Sequence, residues 1–515
     1  MQQTAGVKRA RLLPVALLAV ALAASACGGS SNPSTNGARA GASPSVTGPA
    51  ATSPATSAPA TAARLIWKAC DGDFECSTLR VQLDDKNPAK GTLDLALARS
   101  RATSSKRIGS LLVNPGGPGA SAIGFLEGAY KSLPEDVRAR FDIVAFDPRG
   151  VGRSAAVRCA TTAEFDRYLA LDPDPDNQAE LDAYVQANRD LDAGCAKRSG
   201  RILPYVGTDT VADDMDRVRA ALGDAKLSYL GYSYGTAIGA AYLDRYPTHV
   251  RAMVLDGAID PTLSWEQLAA GQGVGFDRAM LAFLDNCQST SCSFRKQVSG
   301  DIGAAFDRLA AKVDVSPLPA AGARRVGPGE FFLGVAGSLY STASWPVLAD
   351  SLALAERGDG SGLLVLSDSF TERGPKGYDP LLESINAVNC IDRAWPRDVA
   401  SYVAAGERIR SKAPRFGRAI VLAGMSCIAW PVAPVSTPHA VAGKGAPPVV
   451  VIGTTRDPAT PYEWAQGLAK QLSSGILISH NGDGHTVYRT SAPACITQPV
   501  NAYLIDLIAP KPLTC

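Results

Sequence analysis

The chain has 515 residues, of which 46% are apolar and 19% are charged. Its length suggests up to three domains, although one α/β enzyme domain often extends further, and the apolar fraction excludes wholesale disorder and a polytopic membrane protein. The formal net charge is +2, so no bulk electrostatic field attracts nucleic acid or an acidic membrane surface. We therefore expect a globular protein with no nucleic-acid partner.

The N-terminus has the pattern of a secretory signal peptide over residues 1–26. A basic stretch precedes an apolar run at residues 12–24, which is too short to span a bilayer as a mature helix. Cys27 follows small residues directly, as in the lipobox of bacterial lipoproteins, although Ala24 stands where a lipobox usually has Leu. We expect a lipid on Cys27 and membrane attachment only through it. The alternative is an ordinary signal peptide with an incidental cysteine.

Residues 27–63 are almost all Ala, Ser, Thr, Pro, Gly and Asn. Such a tract has no apolar surface to bury, so we expect a disordered tether between the anchor and the folded body. Structure is expected to begin near Leu65. We place the protein outside the cytoplasm, as a cell-membrane lipoprotein or a secreted protein, and we expect a monomer.

Cysteine usage also favours export. If Cys27 carries lipid, ten of the 11 cysteines remain, an even number that suits an oxidising compartment. Spacing alone does not fix the pairing, but neighbouring cysteines suggest five disulfides: Cys70–Cys76, Cys159–Cys195, Cys287–Cys292, Cys390–Cys427 and Cys495–Cys515. No pair has metal-like C-x-x-C spacing and the histidines do not cluster with them, so we expect neither a metal nor another cofactor.

The body of the chain reads as strands alternating with helices. Short apolar runs predict strands at residues 108–114, 141–146, 227–230, 250–256 and 448–452. Helical stretches lie between these runs. This alternation predicts an α/β protein with a mostly parallel sheet flanked by helices on both faces.

The alternation ends between about residues 260 and 440. Helical patterns such as those at residues 302–313 and 348–357 take its place. The simplest interpretation is a helical lid inserted over the C-terminal edge of the sheet. The predicted domains are a first core part at residues 64–260, the lid at residues 261–440 and a second core part at residues 441–515.

The pentapeptide Gly231-Tyr-Ser-Tyr-Gly235 fits the G-x-S-x-G nucleophile elbow. The turn strains the serine and requires small residues two positions to either side. Between a strand and an Ala/Gly-rich helix, the motif indicates that Ser233 is a nucleophile rather than a serine that caps a helix. A serine hydroxyl is too weakly acidic to attack unaided, so a base and its orienting acid must lie elsewhere.

His485 is our candidate for the base among the four histidines. It lies in a Gly-rich loop after a late apolar run at residues 476–480, whereas His480 ends that run and is the rival. We expect His249 to lie at the surface after a helix. His439 lies among prolines in the lid region, so we do not favour it.

The acid is expected to precede this histidine. Asp457 directly follows a predicted strand, at a tip where a carboxylate can face the imidazole. Asp256 and Asp260, after the strand that follows the elbow, are alternatives, because some members of this architecture place the acid there. The order Ser233, Asp457, His485 is that of an α/β-hydrolase. In such a triad the histidine takes the serine proton, while the aspartate fixes the histidine tautomer.

The segment Asn114-Pro-Gly-Gly-Pro-Gly119 stands where an oxyanion loop is expected after an early strand. Glycines let backbone N–H groups approach a developing oxyanion. Its two prolines lack that donor, which leaves Gly116 or Gly117, together with Tyr234 after the nucleophile. We favour Gly117, and the alternative is a plain Gly/Pro turn.

Five motifs taken together give a more specific resemblance: N-P-G-G-P-G, F-D-P-R-G-V-G-R-S, G-Y-S-Y-G, T-R-D-P-A-T-P and G-H. The chain resembles the secreted tripeptidyl aminopeptidases, which belong to the proline-iminopeptidase-like branch of the α/β-hydrolases. The similarity runs from about Trp67 to Cys515 and includes a TAP-like segment from about Ala404. Pro115 departs from the His-Gly-Gly-Pro-Gly of proline iminopeptidases, a trait that the secreted relatives share.

The resemblance implies that Ser233, Asp457 and His485 carry catalysis on peptides cleaved near a free N-terminus. The loop at residues 149–154 is expected to be structural. We therefore predict an exported serine peptidase that releases short peptides, with tripeptides expected. The alternative is an esterase or lipase acting on acyl esters. A lipoprotein that binds without cutting is less favoured, since all the catalytic parts are present.

An aminopeptidase must distinguish a free amine, and a buried carboxylate is its natural partner. We expect this carboxylate in the lid, because the catalytic groups occupy the sheet edge. Glu383 and Asp392 flank Cys390, where a disulfide would hold the chain rigid. Asp392 is our choice, and the alternative is that both are solvated surface carboxylates.

Overall fold

The computed structural model describes residues 65–515. The predicted signal peptide, the lipidation site at Cys27 and the predicted tether lie outside these residues. The strands of the described part are β1 (Lys68–Ala69), β2 (Glu75–Gln82), β3 (Thr92–Ser100), β4 (Gly109–Asn114), β5 (Phe141–Phe146), β6 (Leu227–Tyr232), β7 (Val250–Asp256), β8 (Leu318–Pro319), β9 (Arg325–Val326), β10 (Arg373–Gly374), β11 (Gly377–Tyr378), β12 (Val449–Arg456), β13 (Gly475–Asp483) and β14 (Leu513–Thr514).

The α-helices lie mainly between these strands or in one long segment before β12. They are α1 (Ala122–Ala129), α2 (Glu135–Arg140), α3 (Thr162–Leu169), α4 (Gln178–Ser199), α5 (Thr208–Leu222), α6 (Tyr234–Arg245), α7 (Trp265–Ser289), α8 (Ser293–Gln297), α9 (Ile302–Val315), α10 (Pro328–Leu339), α11 (Trp345–Glu356), α12 (Ser361–Phe370), α13 (Leu381–Asp392), α14 (Val399–Ile409), α15 (Gly417–Ala423), α16 (Tyr462–Gln471) and α17 (Ala494–Asp506).

Ten strands form one sheet in the order β1-β2-β3-β5-β4-β6-β7-β12-β13-β14. From β5 onward every neighbouring pair is parallel, which confirms the predicted α/β architecture. The pairs that join β1, β2, β3 and β5 are antiparallel. Residues 68–100 form this antiparallel edge, which was not among the strands predicted from the sequence.

The central strands are covered on both faces. Every residue of β4, β5 and β6 is buried, as expected for parallel strands between two layers of helices. Along β4 the side chains alternate between two apolar cores, since Leu112 packs with Tyr229 on one face. Leu111 and Val113 pack on the other face. The sheet therefore separates two cores and leaves its strand ends free to form a site.

Residues 257–448, which we call the helical segment, connect β7 to β12. They contain α7–α15 and the hairpins β8–β9 and β10–β11. The segment has an apolar core of its own, which includes Phe283, Leu309 and Leu348. A capping box starts α7, because the Ser264 side chain accepts from the Gln267 N–H while the Gln267 side chain accepts from the Ser264 N–H.

All five suggested disulfides are present in the structure: Cys70–Cys76, Cys159–Cys195, Cys287–Cys292, Cys390–Cys427 and Cys495–Cys515. Such a set indicates an oxidising compartment outside the cytoplasm. Within residues 65–515, no helix combines the length and apolar character needed to cross a bilayer.

Candidate active site

The C-terminal ends of β4, β6, β7 and β12 meet at one edge of the sheet. Asn114 at the end of β4 pairs with Gly231 of β6, and Asp256 at the end of β7 pairs with Tyr232 of β6 and Ile452 of β12. Parallel strands bring their carboxyl ends to the same edge, where ligands of open α/β sheets bind. The loops that leave this edge carry the predicted catalytic residues.

Ser233 occupies the sharp turn between β6 and α6. Its φ of 53° and ψ of −125° are strained for a residue with a side chain, as expected at a nucleophile elbow. The flanking glycines are required by space: a Cβ on Gly231 would lie 2.5 Å from the Gly235 carbonyl oxygen, and a Cβ on Gly235 would lie 2.8 Å from the Asn114 carbonyl oxygen. The geometry explains why the pentapeptide needs small residues at both ends.

His485 and Asp457 lie in direct hydrogen-bond contact. The imidazole Nδ1 of His485 is 2.8 Å from Oδ2 and 2.9 Å from Oδ1 of Asp457. Asp457 is fully buried, and its Oδ1 also accepts from the N–H groups of Ala459 at 2.9 Å and Thr460 at 2.8 Å. Because an acceptor-only carboxylate faces Nδ1, this nitrogen carries the proton and Nε2 is left as the basic atom.

The basic nitrogen of His485 is free to act. Its Nε2 is buried and has no hydrogen-bond partner among residues 65–515. The His485 N–H donates to the Tyr340 carbonyl oxygen at 2.8 Å, and the Tyr340 ring stands edge-on to the imidazole with centroids 5.2 Å apart. A residue of the helical segment therefore contacts both the backbone and the imidazole of His485.

Asp256 connects the nucleophile elbow to the histidine loop. Its carbonyl oxygen accepts from the Ser233 N–H at 2.9 Å, and its Oδ2 accepts from the N–H groups of Val487 at 2.8 Å and Tyr488 at 2.7 Å. Burial raises the pKa of Asp256 to about 6, against the lowering effect of those two N–H groups. The carboxylate of Asp256 thus bonds the backbone that follows His485. The carboxylate that bonds the imidazole is that of Asp457, and not that of Asp256.

The remaining aspartate and histidine candidates also lie away from the His485 Nδ1. Asp260 accepts from Thr262 and Gln471, and His249 bonds Asp216 at 2.8 Å. The Nδ1 atom of His480 is buried without a partner among residues 65–515, and His439 is near Asp244. None of these contacts includes Ser233.

The predicted oxyanion donors lie beside Ser233. The Gly116 N–H is already bonded to Oδ1 of Asn114 at 2.9 Å, so it is not available to substrate. Gly117 has a φ of 107°, a left-handed conformation that favours glycine. Tyr234 opens α6, and the first N–H groups of a helix have no intrahelical acceptor. Gly117 and Tyr234 both line the cavity that contains Ser233.

That cavity has a volume of about 300 Å³ and lies between the sheet edge and the helical segment. Four aromatic side chains of the helical segment line it: Phe276 of α7, Phe332 of α10, Tyr340 directly after α10 and Phe370 of α12. Among residues 65–515, two charged side chains line it, Asp392 and Arg393. The site is therefore a largely apolar cavity whose wall carries one carboxylate and one guanidinium.

Asp392 is partly exposed to this cavity and is held by one threonine. Its Oδ1 accepts from the Thr208 N–H at 2.8 Å, and its Oδ2 accepts from the Thr208 hydroxyl. The same hydroxyl lies 2.5 Å from the Tyr234 hydroxyl. Burial raises the pKa of Asp392 to about 6, although the bonds from Thr208 oppose that shift. Asp392 is thus close to Tyr234 and is not a solvated surface carboxylate.

The expectation for Glu383 is corrected by the structure. Glu383 is 3% exposed and does not line the cavity around Ser233. Its Oε1 accepts from the N–H groups of Cys159 at 2.5 Å and Ala160 at 2.9 Å. The carboxylate of Glu383 therefore fixes the loop before α3, because it is the acceptor for two backbone N–H groups there. Proximity in sequence to Cys390 does not place both carboxylates in the cavity, since α13 turns Glu383 away from Asp392.

The loop at residues 149–154 has the structural role that we expected. Arg149 is fully buried and forms a two-pronged ion pair with Asp214, with distances of 2.7 and 2.9 Å. It also donates to the carbonyl oxygen of Leu83 at 2.9 Å. This arginine joins the loop after β5 to α5 and to the end of β2.

Three residues of the site were not predicted from the sequence. Thr460 donates its hydroxyl to Oδ2 of Asp457 at 3.0 Å and lies 3.3 Å from the His485 Nδ1. The turn chemistry of Asp-Pro-Ala-Thr, in which an aspartate accepts from N–H groups two and three residues later, could have indicated it. Tyr340 and Thr208 reach the site from distant parts of the chain, and no local pattern marks them.

The chain belongs to the α/β-hydrolase family. A family model described as the alpha/beta hydrolase fold matches residues 109–490, which span the sheet edge and all three residues of the predicted triad. The family and the predicted fold class are therefore confirmed.

Three curated relatives refine this assignment. The serine protease Hip1 of Mycobacterium tuberculosis is 38% identical over 449 residues, which cover 84% of this chain and 86% of the relative. Carboxylesterase B of the same species is 38% identical over 454 residues, covering 85% and 86%. A tripeptidyl aminopeptidase of Streptomyces coelicolor is 30% identical over 461 residues, covering 86% and 84%. The chain is an enzyme, a serine hydrolase, and its resemblance to the tripeptidyl aminopeptidases is confirmed.

Proposed function

We propose that this protein is an exported serine aminopeptidase that releases short peptides, tripeptides in our expectation, from free N-termini. The single observation that carries the proposal is the carboxylate of Asp392 on the wall of the Ser233 cavity. A carboxylate on the wall of a largely apolar cavity favours a positively charged group of the substrate, because a desolvated charge needs a partner. The α-ammonium group of a peptide is such a group.

In the proposed mechanism Ser233 attacks the carbonyl carbon of the scissile amide while Nε2 of His485 takes the hydroxyl proton. Asp457 holds the resulting imidazolium, and the N–H groups of Gly117 and Tyr234 stabilise the oxyanion. The imidazolium then protonates the leaving amine. A water molecule, activated by the same histidine, hydrolyses the acyl-enzyme and restores Ser233.

The size of the cavity supports exopeptidase action. About 300 Å³ is at the small end of the usual range for ligand pockets, and helices cover it. Such a chamber suits the short N-terminal portion of a peptide better than a chain that passes through. Peptide and protein substrates with a free N-terminus are the proposed partners. We also propose that a lipid on Cys27 attaches the enzyme to the outer face of the cell membrane and that it acts as a monomer.

An esterase remains the second candidate, since the aromatic cover formed by Phe276, Phe332 and Phe370 also suits an apolar acyl group. The deciding assay gives the full chain matched tripeptide coumarin amides with free and with acetylated N-termini, together with p-nitrophenyl acyl esters. We expect kcat/KM to be highest for the free-amine peptides. Equal turnover of acetylated and free peptides would contradict the aminopeptidase assignment, and turnover of esters alone would replace it with the esterase.

A further inference from the structure

Arg393 is the second charged residue that lines the Ser233 cavity. It follows α13 directly and lines the cavity together with Asp392 and Tyr234. Its Nε is buried without a hydrogen-bond acceptor among residues 65–515. Burial lowers the pKa of Arg393, while the nearby charge of Asp392 opposes that shift. A guanidinium is nevertheless always charged in proteins.

Asp392 does not satisfy this guanidinium. Both oxygens of Asp392 are bonded to Thr208, and Asp392 acts on Arg393 through its charge without a hydrogen bond. Arg393 therefore retains its planar set of donors, which fits a carboxylate in two-pronged geometry. Arg393 is half-buried, and a guanidinium whose buried Nε has no acceptor among residues 65–515 is unfavourable. A ligand carboxylate would relieve that cost.

The carboxylates behind Arg393 are balanced by other groups. A small cavity of about 80 Å³ shares Asp392 and Arg393 with the Ser233 cavity and is also lined by Asp209, Asp244 and His439. The negative charge of Asp209 is opposed by Arg245 and His439. Asp244 lies 3.4 Å from the His439 Nε2. Arg393 also lines the Ser233 cavity, where Asp392 is the one carboxylate among the lining residues of the described part of the chain.

We propose that Arg393 binds a carboxylate in the acyl portion of the substrate, so that the enzyme prefers substrates with an acidic side chain among the residues that it releases. Asp392 and Arg393 side by side then match a substrate with an ammonium and a carboxylate close together. The peptide form of this inference rests on the proposed aminopeptidase function. The carboxylate preference itself does not, because Arg393 would bind an acidic acyl group of an ester in the same place.

The test compares substrates that differ in one charge. Tripeptide coumarin amides with Glu or Gln at each of the three positions form one set, and the p-nitrophenyl monoester of glutaric acid with its monoamide counterpart forms the other. We expect the carboxylate member to have a kcat/KM at least about tenfold higher at one peptide position and in the ester pair. Arg393→Gln should reduce that ratio to about one.

Two further variants keep the result interpretable. Arg393→Lys keeps the charge but loses the two-pronged geometry, so it should retain part of the preference. Arg408→Gln removes an exposed arginine of α14 that pairs with Glu266 and should leave the ratio unchanged. If Arg393→Gln does not fold, the wild-type ratios and competitive inhibition of the wild-type enzyme by glutarate still test the preference for a carboxylate.

The outcomes separate this inference from the proposed function. Wild-type ratios near one in both sets, or a preference that survives in Arg393→Gln, would overturn the role of Arg393. Carboxylate preference in the esters without any peptide cleavage would uphold Arg393 and overturn the aminopeptidase. Peptide cleavage without carboxylate preference would uphold the aminopeptidase and overturn the role of Arg393.

Discussion

The backbone of Asp256 holds Ser233 in place: the Asp256 carbonyl oxygen accepts from the Ser233 N–H at 2.9 Å. The side chain of the same aspartate accepts from the N–H groups of Val487 and Tyr488, two and three residues after His485. One residue at the end of β7 thus fixes the position of the nucleophile relative to the loop of the base. A second link, from the Tyr232 hydroxyl to the Tyr488 carbonyl oxygen at 2.8 Å, supports the same arrangement.

Asp457→Asn and Asp256→Asn should therefore have different effects. Asp457→Asn should reduce kcat on the order of 10⁴-fold, because an amide would favour the wrong tautomer of His485. Asp256→Asn replaces a carboxylate that accepts from two N–H groups with a neutral amide that also buries an NH2 donor, so we expect mainly a loss of about 1–3 kcal/mol in the free energy of unfolding. Steady-state kinetics and urea unfolding measure the two effects. A larger loss of kcat in Asp256→Asn would show that the acid is misassigned.

Thr460 should act through Asp457. Thr460→Val keeps the shape of the side chain and removes the hydroxyl that donates to Asp457 at 3.0 Å. A hydrogen bond to a charged group is worth about 1.5–3 kcal/mol, so we expect kcat to fall by roughly tenfold or more with little change in KM. Thr460→Ser restores the donor and is the matched control. Equal kinetics for the valine and serine variants would rule out this positioning role.

Asp192 should make stability depend on pH. It is 1% exposed on α4, and burial raises its pKa to about 7, against the effects of the Ala429 N–H and the charge of Arg397. The folded state therefore holds this proton more tightly than the unfolded state. Stability from the neutral carboxyl is fully present below about pH 4 and is lost as the pH rises to about 7, by an amount on the order of 4 kcal/mol.

Asp192→Asn should accordingly reduce the fall in Tm between pH 5 and pH 8. The Asp190→Asn variant changes an exposed residue of the same helix and serves as the control. Thermal unfolding at several pH values measures the difference between the two variants. Identical pH profiles for Asp192→Asn and the wild type would contradict the raised pKa.

Arg149 should matter for stability and not for chemistry. Arg149→Met leaves Asp214 buried without its two-pronged partner, although Arg217 still bonds Asp214 at 2.8 Å. Breaking a buried pair by removing one partner typically lowers the free energy of unfolding by about 3–5 kcal/mol. The double variant Arg149→Met with Asp214→Leu should recover part of that loss. A large fall in kcat for folded Arg149→Met would give the loop a catalytic role that we do not assign.

Local sequence patterns were sufficient to predict the features that depend on residues close together in the chain. The elbow at Ser233 could be predicted because Gly231 and Gly235 must be small for the turn to close, and the parallel strands because their apolar runs are buried on both faces. Neighbouring cysteines also indicated the five disulfides. These features depend on residues within a few tens of positions of each other.

The features that could not be predicted depend on contacts between distant segments. Asp392 is bonded to Thr208, 184 positions away, and Glu383 to Cys159, 224 positions away. Both carboxylates lie near the same disulfide cysteine in sequence, yet one lines the cavity and the other fixes a loop. Only the packing of α13 against the core distinguishes them. For the same reason, nothing local to Tyr340 indicates that its carbonyl oxygen holds the His485 loop.

The central claim is that Ser233 forms the acyl-enzyme, and active-site labelling tests it most directly. The full chain and its Ser233→Ala variant are treated with a fluorophosphonate, and the modified peptide is identified by mass spectrometry. We predict one adduct, on Ser233, formed in proportion to the loss of activity. The alanine variant should stay folded, carry no adduct and lose several orders of magnitude in turnover. Retained turnover in Ser233→Ala, or inactivation by an adduct on another residue, would contradict the account.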